Sequence, residues 1–194
     1  MKWIRFSNEK TDFLVKNILK GFFFLAIFVL IFYLLRKGTT EEDRLLWFGS
    51  IYNNPYLVLA VYVGSEIIFG IIPPEIFMLW SMETGYLGPY FLSIGTLSLI
   101  SYGAGFLNFT IGKFLKGKVS WLNGDNKYLK KYHKMFDQYG GYLVIVASVT
   151  PIPFSAVALL AGAGGLDKTK YLLNSLFRIL RYFVYAYILW QIEV

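Results

Sequence analysis

Two proline-centred breaks interrupt the apolar segments of this 194-residue chain. The first contains Pro73 and Pro74, the second contains Pro151 and Pro153, and each precedes a short apolar run that ends in glycine. Proline removes a backbone donor and clashes with the preceding turn, so a helix stops or kinks there. Inside a bilayer the freed carbonyl groups need partners from protein or a water-filled cavity, and many intramembrane binding sites are built this way. The pattern predicts helices that break within a membrane.

The composition favours an integral membrane protein. Hydrophobic residues make up 56% of the chain and charged residues 16%, which is too apolar for one soluble domain with a hydrated surface. The chain has no cysteine and one histidine, so we expect neither a disulfide scaffold nor a metal site, and no cofactor. The net charge of +7 comes with lysines beside apolar segments, where they suit anionic headgroups. We therefore expect membrane lipids as partners and no nucleic acid.

Residues 1–54 are predicted to hold a basic arm, a first transmembrane helix and an interfacial helix. The apolar segment 18–35 is just long enough to cross a hydrocarbon core of roughly 30 Å. No small-residue cleavage pattern follows it, so we expect a retained anchor rather than a signal peptide. Residues 40–43 have the pattern of a helix start, and the aromatic-rich residues 45–51 suit the membrane interface.

Residues 55–190 are predicted to form the main membrane domain, as two halves joined by a basic loop. The first half, 55–112, contains no lysine or arginine and leads into a span predicted at 90–114. The loop at 113–138 carries seven lysines and reads as a segment lying on the membrane surface. The second half, 139–190, ends in a helix predicted at 171–190.

The positions of the basic segments constrain how the first break sits in the membrane. The basic arm and the lysine-rich loop should both lie in the cytoplasm. A full crossing at the first break would place three crossings between them and put the loop outside. The charge pattern therefore favours a re-entrant hairpin at the first break and a cytoplasmic N-terminus. At the second break, charge does not decide between a re-entrant hairpin and a kinked span.

The two breaks are spaced like an internal repeat. A shift of 79 residues places Pro74 on Pro153 and Gly85 on Gly164, with a long helix following both. The fold class we predict is an all-α integral membrane protein, with spanning helices and two re-entrant helical hairpins in a weak inverted repeat. Two unrelated kinked helices are the alternative.

The residues around both breaks resemble a known family. The first break resembles the first hairpin of DedA-type proteins, which share the VTT domain. In this chain, Glu66 is followed by six intervening residues and then by Pro73, Pro74 and Glu75. The second half resembles the YqaA-like branch of that family. The matching residues are Thr150, Pro151, Pro153, Gly162 and the arginine-bearing residues 177–182. Many DedA members carry an arginine just before the second prolines, where this chain has Ala147, Ser148 and Val149. This departure puts that arginine's role in doubt, and the last helix is the alternative source of positive charge.

Four charged residues are the candidate substrate-binding or proton-binding groups: Glu66, Glu75, Arg178 and Arg181. A carboxylate in hydrocarbon takes up a proton or pairs with a cation, so intramembrane acids are functional candidates. The two arginines are three residues apart and share a helix face, which suits carboxylate or phosphate. The alternatives are that Glu75 only stabilises a helix N-terminus and that the arginines reach to a headgroup layer.

Four glycines are predicted to allow close helix packing or turning: Gly64, Gly85, Gly162 and Gly164. Ser101 and Gly105 have a spacing that also permits close helix approach. No serine, histidine and acid constellation is present, so we do not expect an enzyme.

The resemblance implies a membrane lipid translocase or scramblase for phospholipid or polyprenyl-phosphate headgroups, in a bacterial cytoplasmic membrane. Coupling of transfer to glutamate protonation is part of this hypothesis. The alternatives are a proton-coupled or cation-coupled small-solute transporter and a noncatalytic membrane assembly factor. A homo-oligomer is left open.

Overall fold

The structure is a computed structural model that describes residues 52–116 except 69 and 71, residues 139–193 except 151 and 152, and single positions between 15 and 34. The predicted interfacial helix and Pro151 lie outside the described residues. So do most of the predicted first transmembrane helix and most of the lysine-rich loop. The part of the chain that is described is helical and contains no strand.

Six helices lie in the two long described segments. In chain order they are α1 (Pro55–Ile67), α2 (Pro74–Thr84), α3 (Tyr90–Leu115), α4 (Gly141–Val149), α5 (Phe154–Ala163) and α6 (Lys168–Glu193). Each segment therefore has two short helices followed by a 26-residue helix.

The first break is wider than Pro73 and Pro74 alone. Helix α1 ends at Ile67, several residues before the prolines. Helix α2 starts at Pro74, where the missing N–H is one that a helix leaves unpaired anyway. It stops at Gly85, whose φ of +63° is left-handed and whose N–H bonds the Ser81 carbonyl at 3.1 Å.

The second break separates α4 from α5. Helix α4 ends at Val149, and α5 begins at Phe154 directly after Pro153. Gly164 lies in the turn directly after α5 and has an ordinary right-handed φ of −70°. The positive φ, +79°, belongs to Gly165, so the need for glycine at this turn falls one residue later.

Helices α3 and α6 are long and apolar enough to cross a membrane. They run antiparallel, because the Tyr90 hydroxyl donates to the Ala186 carbonyl at 3.3 Å while the Tyr102 hydroxyl donates to the Leu172 carbonyl at 3.2 Å. At the start of α6 the Asp167 carboxylate accepts from the Lys170 N–H at 3.0 Å, a side-chain cap of the first turn.

Two apolar clusters form the interior. One joins α1, α2, the first part of α3 and the last part of α6. Its largest fully buried members include Tyr62, Met78 and Tyr182. The other joins the last part of α3, α4, α5 and the start of α6, around Phe109 and Tyr171, whose rings stack at 4.2 Å. The middle of α3 and of α6 therefore lies between two apolar regions.

Glycines let α3 and α5 pack backbone to backbone. A Cβ atom at Gly112 would overlap the Leu159 carbonyl, and one at Gly162 would overlap the Phe109 carbonyl. Gly162 thus has a packing reason to be glycine. At Gly64 a Cβ would meet nothing within 4 Å, so the structure gives no packing reason there.

Candidate functional site

A buried ion pair joins the end of α1 to the middle of α6. Arg178 Nη2 lies 2.6 Å from Glu66 Oε2, and the two side chains are only 5% and 2% exposed. Arg178 Nε donates to the Ser101 hydroxyl, and that hydroxyl donates to the same Glu66 oxygen at 2.6 Å. The Arg178 guanidinium also lies over the Phe154 ring, 4.5 Å from its centroid. Glu66 and Arg178 therefore neutralise each other within a closed network.

Two tyrosines complete the shell of Glu66. The Tyr182 hydroxyl donates to Glu66 Oε1 at 3.1 Å and lies 2.7 Å from the Tyr62 hydroxyl. The Tyr62 hydroxyl also reaches the Leu97 carbonyl at 2.8 Å. Both carboxylate oxygens of Glu66 are thus hydrogen-bonded, as a buried charge requires.

The network lies near the midpoints of the two long helices. Ser101 is the twelfth of 26 residues in α3, and Arg178 is the eleventh of 26 in α6. At about 1.5 Å per residue, each is some 15–17 Å from the start of its helix. Apolar clusters lie on both sides, so the charged network lies in the middle of an apolar bundle.

The carbonyl groups freed at the end of α1 find protein partners. The Ser155 hydroxyl donates to the Glu66 carbonyl, and Asn108 Nδ2 donates to the Ile67 carbonyl at 3.3 Å. Beyond the helix, the Ile72 N–H donates to the Ser65 hydroxyl at 2.8 Å. Side chains from α3 and α5 thus supply the hydrogen bonds that a broken helix needs in a membrane.

A second ion pair connects the two breaks. Arg181 Nη2 lies 3.0 Å from Glu75 Oε1, in the first turn of α2. Arg181 Nη1 donates to the Thr150 carbonyl at 2.9 Å, just after α4. The guanidinium thus lies at the second break. Its carbon atom Cζ is 4.8 Å from the centroid of the Tyr185 ring, and Nε is buried without a hydrogen-bond partner among the described residues.

The four charged candidates come together as two pairs, Glu66 with Arg178 and Glu75 with Arg181. Both arginine side chains are buried in ion pairs, and Glu75 contacts Arg181 as well as lying in the first turn of α2. Sequence reasoning treated Ser101 only as a packing residue and did not single out Asn108 or Tyr62. Their signal was the presence of hydrogen-bonding side chains inside otherwise apolar helices.

The described residues provide charged hydrogen-bonding groups arranged in two pairs. No cluster of three or more histidine, cysteine or acidic side chains that would hold a metal ion occurs in the segments described. The charged pairs are suited to recognising anionic or cationic groups through hydrogen bonds.

Over the described residues, the fold and this geometry define a helical membrane protein with charged pairs buried at its broken helices. The family model of the VTT domain matches residues 72–191, and the chain belongs to this membrane-associated family. The match is to the VTT domain as a whole, so the YqaA-like branch stays a prediction. No curated protein and no solved structure matches the chain.

Proposed function

We propose that this protein is a lipid translocase or scramblase that moves phospholipid or polyprenyl-phosphate headgroups between the leaflets of a membrane. The observation that carries the proposal is the pair of acid–arginine contacts, both made by α6, at the two broken helices. Charges buried in an apolar bundle are costly to maintain and are expected where a polar group must pass. The membership of the VTT domain family supports the same conclusion.

The proposed topology has both breaks as re-entrant hairpins in an inverted repeat, with the N-terminus in the cytoplasm of a bacterium. Two arguments support it: the short, short, long order of helices in both halves, and the contact of Arg181 with residues of both breaks. Repeats of this kind place a substrate site at their interface. Here that interface would contain Glu75, Arg181 and Thr150.

In the proposed mechanism, the headgroup passes the two charged pairs while the acyl or polyprenyl tails stay in the bilayer. The pairs replace water around the headgroup and so lower the cost of crossing the apolar interior. Protonation of Glu66 would release Arg178 from its partner, which gives a route for coupling transfer to a proton gradient.

Reconstitution into vesicles tests the proposal. The purified full chain is placed in phospholipid vesicles that contain a trace of labelled phospholipid or labelled polyprenyl phosphate. We expect movement of label between leaflets above that of protein-free vesicles, and loss of this excess in Glu66→Gln. Glu83→Gln is the matched control, since it removes one exposed acid at the far end of α2.

Transfer no faster than in protein-free vesicles would overturn the proposal. Uptake of a small solute without movement of labelled lipid would select a solute transporter instead.

A further inference from the structure

The two arginines of α6 differ in how their donor groups are used. A guanidinium offers Nε and Nη2 side by side, a geometry that matches two oxygens of a carboxylate or phosphate. In Arg178 both groups are taken, Nε by the Ser101 hydroxyl and Nη2 by Glu66 at 2.6 Å. The Nε and Nη2 pair of Arg178 is therefore occupied.

In Arg181 only one of the two donor groups, Nη2, has a partner among the described residues. Its Nη2 holds Glu75 through a single contact at 3.0 Å, and its Nη1 holds the Thr150 carbonyl at 2.9 Å. Its Nε is buried and has no partner in the described segments, although the side chain is only 9% exposed. Buried donors are nearly always hydrogen-bonded in native proteins, so this N–H marks a place for an acceptor.

We propose that Arg181 binds one phosphate oxyanion through Nε and Nη2, and that Glu75 occupies half of this site until the anion displaces it. The inference deepens the proposed function and rests on it in one respect, namely that the phosphate belongs to a lipid headgroup. An anion held by Nε would lie beside the Glu75 carboxylate, and two like charges in a buried place repel each other. Binding therefore expels Glu75.

The consequence is a local release of the first break. Glu75 belongs to the first turn of α2, whereas Thr150 follows α4. When the anion takes Nη2, the link between Arg181 and α2 is lost. The Nη1 contact with Thr150 needs no change, so the second break stays attached to α6. The Glu66 and Arg178 network is separate and keeps its contacts.

Binding measurements on the full chain in detergent micelles test the site. The probes are a dioctanoyl phosphatidylglycerol and inorganic phosphate, titrated by calorimetry. Glu75→Gln removes the competing carboxylate, and we expect it to tighten binding by about tenfold, the equivalent of one weak charge-assisted contact. Glu83→Gln makes the same change of charge away from Arg181 and should leave binding unaltered. Arg181→Lys loses the paired donors and should weaken binding by about tenfold or more.

Tighter binding in Glu75→Gln cannot result from misfolding, so that variant decides the matter even if Arg181→Lys does not fold. Unchanged or weaker binding in Glu75→Gln overturns the site. If inorganic phosphate binds as tightly as the short-chain lipid and competes with it, the oxyanion site is supported but its ligand is free phosphate. If lipid is transferred in vesicles but Glu75→Gln and Arg181→Lys bind the probes like the wild type, the proposed site is wrong and the proposed function stands. Tight binding of the short-chain lipid without lipid transfer in vesicles would support the site and overturn the proposed function.

Discussion

Glu66 and Arg178 are 112 residues apart in the chain and are joined by a 2.6 Å contact between Oε2 and Nη2. The contact holds the end of a short, broken helix against the middle of a long helix of membrane-spanning length. Both side chains are almost completely buried, so each charge depends on the other for its stability.

The first prediction concerns this pair. Glu66→Gln and Arg178→Gln should each lower the free energy of unfolding by about 3–5 kcal/mol, because each leaves one buried charge without its partner. The double variant should lose less than the sum, since it contains no unpaired charge. Unfolding in mixed micelles by increasing denaturing detergent measures these values, with Glu83→Gln as the control. Additive losses would show that the two residues are not energetically coupled.

The second prediction concerns the close contact of α3 with α5. Gly112→Ala and Gly162→Ala should each destabilise the protein by about 1–3 kcal/mol, because the added methyl group overlaps a backbone carbonyl of the other helix. Gly103→Ala is the matched control on α3, since a Cβ there meets nothing within 4 Å. Thermal unfolding in detergent compares the variants. Equal melting temperatures for Gly112→Ala and Gly103→Ala would contradict the observed packing.

The third prediction concerns the carbonyl groups freed at the first break. Ser155→Ala removes the donor to the Glu66 carbonyl and should cost about 1–3 kcal/mol of stability, as expected for a buried acceptor left unpaired. Thr110→Ala removes an exposed hydroxyl that donates within its own helix, and it should have little effect. Unfolding of both variants in the same detergent gives the comparison. A loss in Thr110→Ala as large as that in Ser155→Ala would argue against this role.

The fourth prediction tests the re-entrant hairpin. Single cysteines replace the exposed Tyr86, next to the turn at Gly85, and Lys127 in the lysine-rich loop. The chain has no native cysteine, so a membrane-impermeant thiol reagent reports only these positions. In intact cells we expect labelling of the Tyr86 position from outside and of the Lys127 position only after lysis. Labelling of both positions from the same side would reject the topology.

Much of the secondary structure followed from local patterns in the sequence. For the span predicted at 90–114 the structure has the helix Tyr90–Leu115, because Pro89 favours a helix start and a long apolar run follows it. The last helix begins three residues earlier than predicted, since Asp167 caps its first turn. Helix α1 ends at Ile67, several residues before Pro73 and Pro74, and no local sequence pattern marks Ile67 as its last residue.

The sequence by itself singled out Glu66, Glu75, Arg178 and Arg181 as candidates, because charged residues are rare in its apolar segments. The motifs at both breaks also predicted the VTT domain, and the family model confirms it. Only the tertiary structure decided that Glu66 pairs with Arg178 and Glu75 with Arg181. The partners lie more than one hundred residues apart, and their pairing depends on how α6 packs against both breaks. Among the described residues, the same packing also leaves Arg181 Nε without a partner, and this depends on the tertiary structure.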